Sequence, residues 1–184
     1  MLDLLRFNIV TDKIRKIILF YLWFALSLQK INCRNINIGR NHNNNNTTKK
    51  MSKSKKRILL EYELNASSPA IVWPLLSEAT GLERWIADKV ERNGNKLKFT
   101  WGTSWQNKDE RSATIIKEEK DKLIRFKWDE DEDPKAYCEL KIEIGEITND
   151  CVLAVTDFAE PDDIDSLKEL WDDNMELLHQ ASGI

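Results

Sequence analysis

The sequence contains few of the residues that bind metals, form disulfides or interrupt regular structure. Its 184 residues include only three cysteines, two histidines, six glycines and four prolines. Past residue 50 only Cys138 and Cys151 remain, and neither lies at a short metal-ligand spacing, so we expect no zinc site and no disulfide framework. Both are predicted to be small buried hydrophobic residues in strands of a cytoplasmic domain.

A membrane-spanning apolar run is also missing. The longest such stretch, residues 17–28, is interrupted only by Ser27 and would span about 18 Å as a helix, against roughly 30 Å of membrane hydrocarbon. We therefore expect no stable membrane insertion. The stretch follows Lys13, Arg15 and Lys16, a layout typical of a signal peptide, but no small-residue cleavage site follows it.

Charge is divided unevenly along the chain. The net charge is −3, yet residues 1–50 carry nine Lys and Arg against two Asp and Glu, a net +7. Residues 51–184 therefore carry 19 against 29, a net −10. An acidic domain is repelled by phosphate backbones, so nucleic-acid binding is not expected.

Residues 1–50 differ from a folded domain in composition as well. An Asn-rich tract around Asn43–Asn46 has no apolar surface to bury and predicts disorder. Met51 opens the polar segment Met-Ser-Lys-Ser-Lys-Lys-Arg, which is typical of a translation start. A disordered or spuriously translated leader, a signal or anchor, and real structure stay open for residues 1–50, with a single domain expected over residues 51–184.

From residue 57 onward, apolar and polar residues alternate as they do in half-buried strands. Strands are predicted at Arg57–Asn65, Lys96–Trp101, Arg111–Glu118, Leu123–Asp129, Ala136–Ile147 and Cys151–Phe158. Asn93-Gly94-Asn95 predicts a hairpin turn, and Gly102–Lys108, which contains Trp105, a polar loop. Long alternation with short turns favours an antiparallel sheet with one wetted face.

Three helices are predicted. Ser68-Pro69 is typical of a helix start, and Pro74 limits that helix to a short or kinked one. Its expected apolar face is Ile71, Val72, Leu75 and Leu76. Thr80 and Glu83 form a capping-box pattern that predicts a second short helix through Leu82, Trp85 and Ile86.

The third helix is long and closes the sequence. Apolar residues at three- and four-residue spacings predict it from about Asp162 to Ser182, with Gly183 as its stop. The stripe consists of Ile164, Leu167, Leu170, Trp171, Met175 and Leu178.

The order of these elements and several local motifs resemble the START-like, or SRPBCC, helix-grip superfamily. The motifs are Ser68–Trp73, Gly81–Trp85, Phe99–Gly102, Ile124–Trp128 and Leu170-Trp171. Within the superfamily the sequence is most similar to the bacterial branch related to activators of the ninety-kilodalton heat-shock protein's ATPase. The resemblance implies an α+β fold, in which a curved antiparallel sheet of six to seven strands wraps around the long C-terminal helix and two short helices follow the first strand.

Such a fold implies a cavity between the sheet and the long helix. The candidate lining residues are Trp85, Phe99, Trp101, Phe126, Trp128, Leu167, Trp171, Met175 and Leu178. Six of the seven tryptophans lie between residues 73 and 171, a supply of large apolar walls. The alternative interpretation is that these side chains simply fill the core.

Catalytic, cofactor and metal residues are not expected. Asp157 is the one acid whose position allows it to point inward. One alternative is that it anchors a polar ligand group, and the other is that it faces solvent or a neighbouring basic residue. His179 reads as a surface or capping side chain, and Ser104 has no evident histidine partner. The acidic run Asp129–Asp133 lacks a calcium-loop pattern, which leaves a solvated hairpin tip or a docking patch for a basic partner.

These observations favour a non-catalytic module that binds a hydrophobic or amphipathic small molecule or lipid. The resemblance keeps a second hypothesis open, a chaperone-associated adaptor related to the heat-shock ATPase activators. A third is a cyclase- or hydrolase-like enzyme, which would need an acid or histidine facing a sizeable void.

Overall fold

In the computed structural model, which describes residues 54–102, 108–146 and 148–184, seven strands form one antiparallel sheet. The strands are β1 (Lys56–Glu63), β2 (Lys89–Asn93), β3 (Lys96–Trp101), β4 (Asp109–Glu119), β5 (Leu123–Trp128), β6 (Cys138–Ile144) and β7 (Cys151–Ala159). Their spatial order is β1-β7-β6-β5-β4-β3-β2, so β2 to β7 form a meander and β1 returns beside β7. The leader, Ser104, Trp105 and Ile147 lie outside the described residues.

The helices occupy the positions expected for the helix-grip fold, and the predicted fold is therefore confirmed. Helices α1 (Pro69–Ser77) and α2 (Ala79–Leu82) follow β1, and a short 3-10 turn (Pro161–Asp163) leads into α3 (Ile164–Ser182). At 1.5 Å per residue the 19 residues of α3 extend about 28 Å. Gly183 ends the helix as predicted: its φ is 75°, and its N–H donates to the His179 carbonyl at 2.8 Å.

Strand register places one set of side chains on the face of the sheet that α3 covers, here called the inner face. Ile58 lies opposite Asp157, Phe126 opposite Cys138, and Phe99 opposite Arg111. Because directly opposed residues of antiparallel strands point to the same side, these side chains share the inner face. Trp171, Met175 and Leu178 of α3 pack with this face in one buried core.

Two helix predictions were wrong in detail. Ile71 is 57% exposed, because the buried face of α1 lies on Val72, Leu75 and Leu76 and turns toward Trp73 rather than Ile71. The capping box does not form. Thr80 lies inside α2, whose N-cap position is Glu78, and the Glu83 carboxylate instead accepts a hydrogen bond from the Val90 N–H at 2.9 Å.

The close approach of α2 to α1 explains that change. A Cβ atom on Gly81 would lie 2.1 Å from the Pro74 carbonyl oxygen and 2.7 Å from the Leu75 Cα. The chain enters α2 after a single residue, Glu78, whose N–H donates to the Pro74 carbonyl at 3.1 Å. Backbone contact at Gly81, not a side-chain cap on Thr80, therefore sets the angle between the two helices.

We expect Gly81→Ala to lower the free energy of unfolding by about 1–3 kcal/mol, since the added methyl group meets backbone that can yield only by moving one helix. The matched control is Thr80→Ala in the same turn, which removes an exposed side chain with no capping bond and should change stability by less than about 0.5 kcal/mol. Urea unfolding of the two variants measures both effects. Equal effects would contradict this account of the crossing.

Candidate functional site

The predicted lining residues converge on the inner face and its covering helix. Trp85, Phe99, Phe126, Trp171, Met175 and Leu178 are buried in one core. Trp101, Trp128 and Leu167 are partly buried and pack against it. Alternation along the strands and three- and four-residue spacing along α3 thus predicted that these side chains point toward the core.

Four of the aromatic rings, on β3 and β5, form a continuous cluster. The Trp128 ring centroid lies 5.2 Å from that of Phe99, 5.4 Å from that of Phe126 and 6.5 Å from that of Trp101. Phe99 and Trp101 are stacked at 5.9 Å. These separations are within the range for favourable ring contacts, so the cluster is a packed wall of the inner face.

Hydrogen bonds fix the orientation of three indole rings, two of them buried and one partly buried. The Trp85 indole N–H donates to the Leu75 carbonyl at 2.9 Å, and that of Trp101 to the Ile86 carbonyl at 2.8 Å. The Trp171 indole N–H donates to Asp157 Oδ2 at 3.0 Å, which joins α3 to β7. Each of these rings therefore turns its apolar faces toward its neighbours while its N–H group is satisfied within the protein.

Charged side chains meet the aromatic wall at one end of the inner face. This end is formed where β3, β5 and β7 finish and β4 begins. It consists of Trp101, Asp109, Arg111, Trp128 and Asp157, and is here called the charged end. Asp109 lies directly opposite Trp101 in the register, and Arg111 opposite Phe99.

Asp157 points inward, as one of the predicted alternatives had it, and is held by two donors. Its Oδ1 accepts from the Phe158 N–H at 2.7 Å, and its Oδ2 accepts from the Trp171 indole. Burial raises the pKa of Asp157 to about 6. This effect of burial outweighs the two hydrogen bonds and the attraction of Lys55 and Arg111, all of which lower the pKa. Asp157 is thus ionised at neutral pH but gains a proton in mildly acidic conditions.

Arg111 is the cation of the charged end. Its guanidinium carbon lies 4.2 Å from the centroid of the Trp128 ring, a cation–π contact, and its Nε lies 3.7 Å from Glu130 Oε2. Burial lowers the pKa of the Arg111 guanidinium, while the surrounding carboxylates oppose the shift. A guanidinium stays protonated under these conditions, so Arg111 remains a fixed positive charge.

Asp109 brings an unsatisfied oxygen to this end. Its Oδ2 is buried and has no hydrogen-bond partner in the part of the chain that the structure describes. Burial raises the pKa of the Asp109 carboxyl, and nearby Arg111 works against that rise. A buried acceptor without a donor costs free energy, so Asp109 is the least satisfied polar group of the charged end.

Sequence reasoning missed Asp109 and Arg111 as inner-face residues. The alternating pattern of Ala113 and Ile115 extends back through Arg111 to Asp109, and β4 begins two residues earlier than the predicted Arg111. Charged residues at these positions hid the alternation, which was read from apolar residues alone.

The acidic run Asp129–Asp133 lies in the connection between β5 and β6, where Asp129, Glu130 and Glu132 are exposed to solvent. Asp129 Oδ2 accepts from Lys96 Nζ at 2.9 Å, and Asp131 Oδ2 accepts from Lys55 Nζ at 2.6 Å. With Glu130 beside Arg111, three of its five acids contact cations of the same chain. The run is therefore largely engaged within the domain.

Nucleophilic and metal-binding groups are sparse around the inner face. Cys138 and Cys151 are free and buried, as predicted, and burial raises the pKa of each thiol. His179 lies in the last turn of α3, with its Nδ1 next to the main-chain oxygen of Ile184. Across residues 54–102, 108–146 and 148–184, no group of three His, Cys, Asp or Glu side chains could hold a metal ion.

A pocket elsewhere on the domain has a different character. It is a shallow depression of about 130 Å³ on the outer face of the sheet. Its lining alternates charged and small side chains: Arg57, Leu59, Glu61, Glu139, Lys141, Glu143, Ala154 and Thr156. None of the predicted lining residues contributes to it.

Among the described residues, no helix has both the length and the apolar character that crossing a membrane requires.

Comparison with known proteins identifies the family. A family model of the START-like superfamily domain matches residues 51–184, and the chain therefore belongs to this superfamily. No curated protein sequence matches the chain.

Solved structures provide further likenesses. A Bacteroides fragilis protein determined by NMR is 42% identical, with a TM-score of 0.49, and the match covers 69% of this chain and 90% of that one. The Aha1 dimer from Colwellia psychrerythraea is 14% identical, with a TM-score of 0.52, and the match covers 69% of this chain and 96% of that one. An AHSA1-like protein from Aeromonas hydrophila is 12% identical, with a TM-score of 0.54, and the match covers 68% of this chain and 94% of that one. At such low identity the last two show a shared fold.

The raised pKa of Asp157 predicts a pH dependence of stability. Because its folded-state pKa of about 6 lies above the ordinary value of 3.8, the folded chain binds the proton more tightly, and the free energy of unfolding falls as pH rises from about 4 to 6. Asp157→Asn removes this contribution. We expect the stability of the natural chain relative to the variant to be about 1–2 kcal/mol greater at pH 4.5 than at pH 7.5.

Urea unfolding of both proteins at the two pH values measures this difference, and pH effects shared by both proteins cancel in it. A difference that does not change with pH, or that grows toward pH 7.5, would contradict the assignment of a raised pKa to Asp157.

Proposed function

We propose that the chain binds a hydrophobic or amphipathic small molecule at the charged end of the inner face and performs no catalysis of its own. The observation that carries the proposal is the state of Trp101 and Trp128. Both belong to the aromatic wall, yet both are only partly buried, unlike Phe99 and Phe126 beside them. Large aromatic surface next to a few convergent polar groups is the usual composition of a small-molecule site.

The position of this surface supports the same interpretation. Trp171, Met175 and Leu178 of helix α3 are buried against the inner face, and Trp171 reaches the charged end through its hydrogen bond to Asp157. Trp101 and Trp128 are the last residues of β3 and β5, and each keeps part of its surface exposed. An apolar ligand group packed against the two indole rings would remove that surface from water and gain free energy in proportion to the area covered.

Two titratable groups of the inner face, Asp157 and Cys138, favour binding over catalysis. A general acid or base needs a side chain that is free to exchange a proton with a substrate. Both carboxylate oxygens of Asp157 already accept hydrogen bonds from the protein, and the Cys138 thiol is buried with a raised pKa. These groups suit a structural or orienting role. We also propose a cytoplasmic location, supported by the two unpaired cysteines.

A chaperone-associated adaptor is the second candidate. Its support is the shared fold with the Aha1 dimer and the AHSA1-like protein. The acidic run, which would have to meet a basic partner, is largely paired with lysines and Arg111 of its own domain. Loss of co-purification with a chaperone on raising salt would favour this candidate, whereas a ligand site requires no partner protein.

Binding of decanol to the full chain, measured by isothermal titration calorimetry at monomeric ligand concentrations, tests the proposal. We expect saturable binding, weakened about tenfold by Trp128→Ala, because this change removes one of the two partly buried indole surfaces. Ile71→Ala is the matched control: it trims a side chain that is 57% exposed on α1, away from the site, and should leave the affinity unchanged.

Absence of binding by decanol and by a wider panel of lipids and aromatic compounds would reject the proposed function. Binding that Trp128→Ala leaves intact would place the ligand elsewhere. Because Trp128→Ala also affects the core, its folding is checked beforehand by thermal unfolding.

A further inference from the structure

The charge balance of the charged end is unusual for a site with a central arginine. Four carboxylates act on Arg111, those of Asp109, Glu130, Asp131 and Asp157. The cations that act on Asp109 and Asp157 are Arg111 and, for Asp157, also Lys55, which is paired with Asp131 at 2.6 Å. When all are ionised, the carboxylates exceed the cations by two, so the end is net negative despite its arginine.

The arginine is already engaged by at least two neighbours. Its guanidinium lies over the Trp128 ring and its Nε faces Glu130. An incoming carboxylate or phosphate would have to displace these contacts and approach the excess of negative charge. Anionic head groups are therefore disfavoured at this end.

The unsatisfied oxygen of Asp109 favours a hydrogen-bond donor, and above all a cationic one. Asp109 Oδ2 is buried, without a donor in the described part of the chain, and its residue lies directly opposite Trp101. A ligand N–H group placed there would satisfy the oxygen, and a positive charge on that group would strengthen the hydrogen bond. The apolar remainder of the same ligand would lie along the two partly buried indole rings.

We infer that the ligand is a cationic amphiphile whose protonated amine binds Asp109 and whose apolar part packs on Trp101 and Trp128. This inference rests on the proposed function and narrows it to a class of ligand. It assigns to Asp109 the role of selecting an amine over a carboxylate, and to Arg111 the role of holding Trp128 in place rather than of binding an anion.

Three ligands that share one alkyl chain test the inference on the full chain at about pH 7.5: decylamine, decanol and decanoate. All are titrated calorimetrically at monomeric concentrations. We expect decylamine to bind roughly tenfold or more tighter than decanol, with decanoate weakest, because only the amine brings a charged donor to the carboxylate. Asp109→Asn should reduce the preference for the amine over decanol to about threefold or less.

Glu110→Gln is the matched control, since it removes the same charge from the adjacent residue of β4. Glu110 alternates with Asp109 onto the other side of the strand, where it pairs with Lys98 at 2.8 Å and with Lys108. This variant should keep the full preference for decylamine. Thermal unfolding shows beforehand that both variants are folded.

The outcomes separate the inference from the proposed function. Equal binding of the three ligands, a preference for decanoate, or an amine preference that survives Asp109→Asn would overturn the inference while leaving a hydrophobic ligand site standing. Failure of all three to bind would also overturn the inference, and failure of the wider panel of lipids and aromatic compounds would remove the proposed function with it.

Discussion

A wide sheet with one apolar face has to be covered, and in this chain a single long helix and two short ones provide the cover. The inner face presents large side chains from β3 to β7, and α3 buries its stripe against them over about 28 Å. Burial is most complete at the centre, where Phe99, Leu140 and Val155 have no exposed surface. At the charged end Trp101 and Trp128 stay partly exposed, and the candidate site lies beside them.

The charged groups of this end are tolerated because each has a counter-charge or a hydrogen-bond donor nearby. Isolated ions in a fully apolar core would be very costly, whereas ions at the edge of the cover keep counter-charges and hydrogen-bond donors. Asp157 illustrates the balance. It ties α3 to β7 through the Trp171 indole, and burial still raises its pKa to about 6. Arg111 stacks on Trp128 in the same small region, so aromatic packing and electrostatics are coupled there.

Periodicity predicted much of this arrangement, because the direction of a side chain follows directly from strand alternation and helix spacing. The inward positions of Phe99, Phe126 and Trp128 and the burial of Trp171, Met175 and Leu178 on α3 were predicted correctly in this way. The prediction was wrong for Leu170 of the same stripe, because it is only partly buried and does not join the core. Contacts between elements were not predictable. Gly81 packs against the Pro74 backbone, so the Thr80 capping box does not form, and the charged start of β4 hid Asp109 and Arg111. Sequence spacing carries no information on how closely two helices approach or on which buried oxygen lacks a donor.

The central claim is that Trp101 and Trp128 form the apolar wall of a ligand site beside Asp109. Intermolecular nuclear Overhauser effects between the isotope-labelled full chain and unlabelled decylamine test it most directly. The account predicts contacts from the ligand's chain protons to the rings of Trp101 and Trp128, with the methylene group next to the nitrogen nearest to Asp109. Contacts only to outer-face side chains such as Leu59, or to Trp73 on α1, would contradict it.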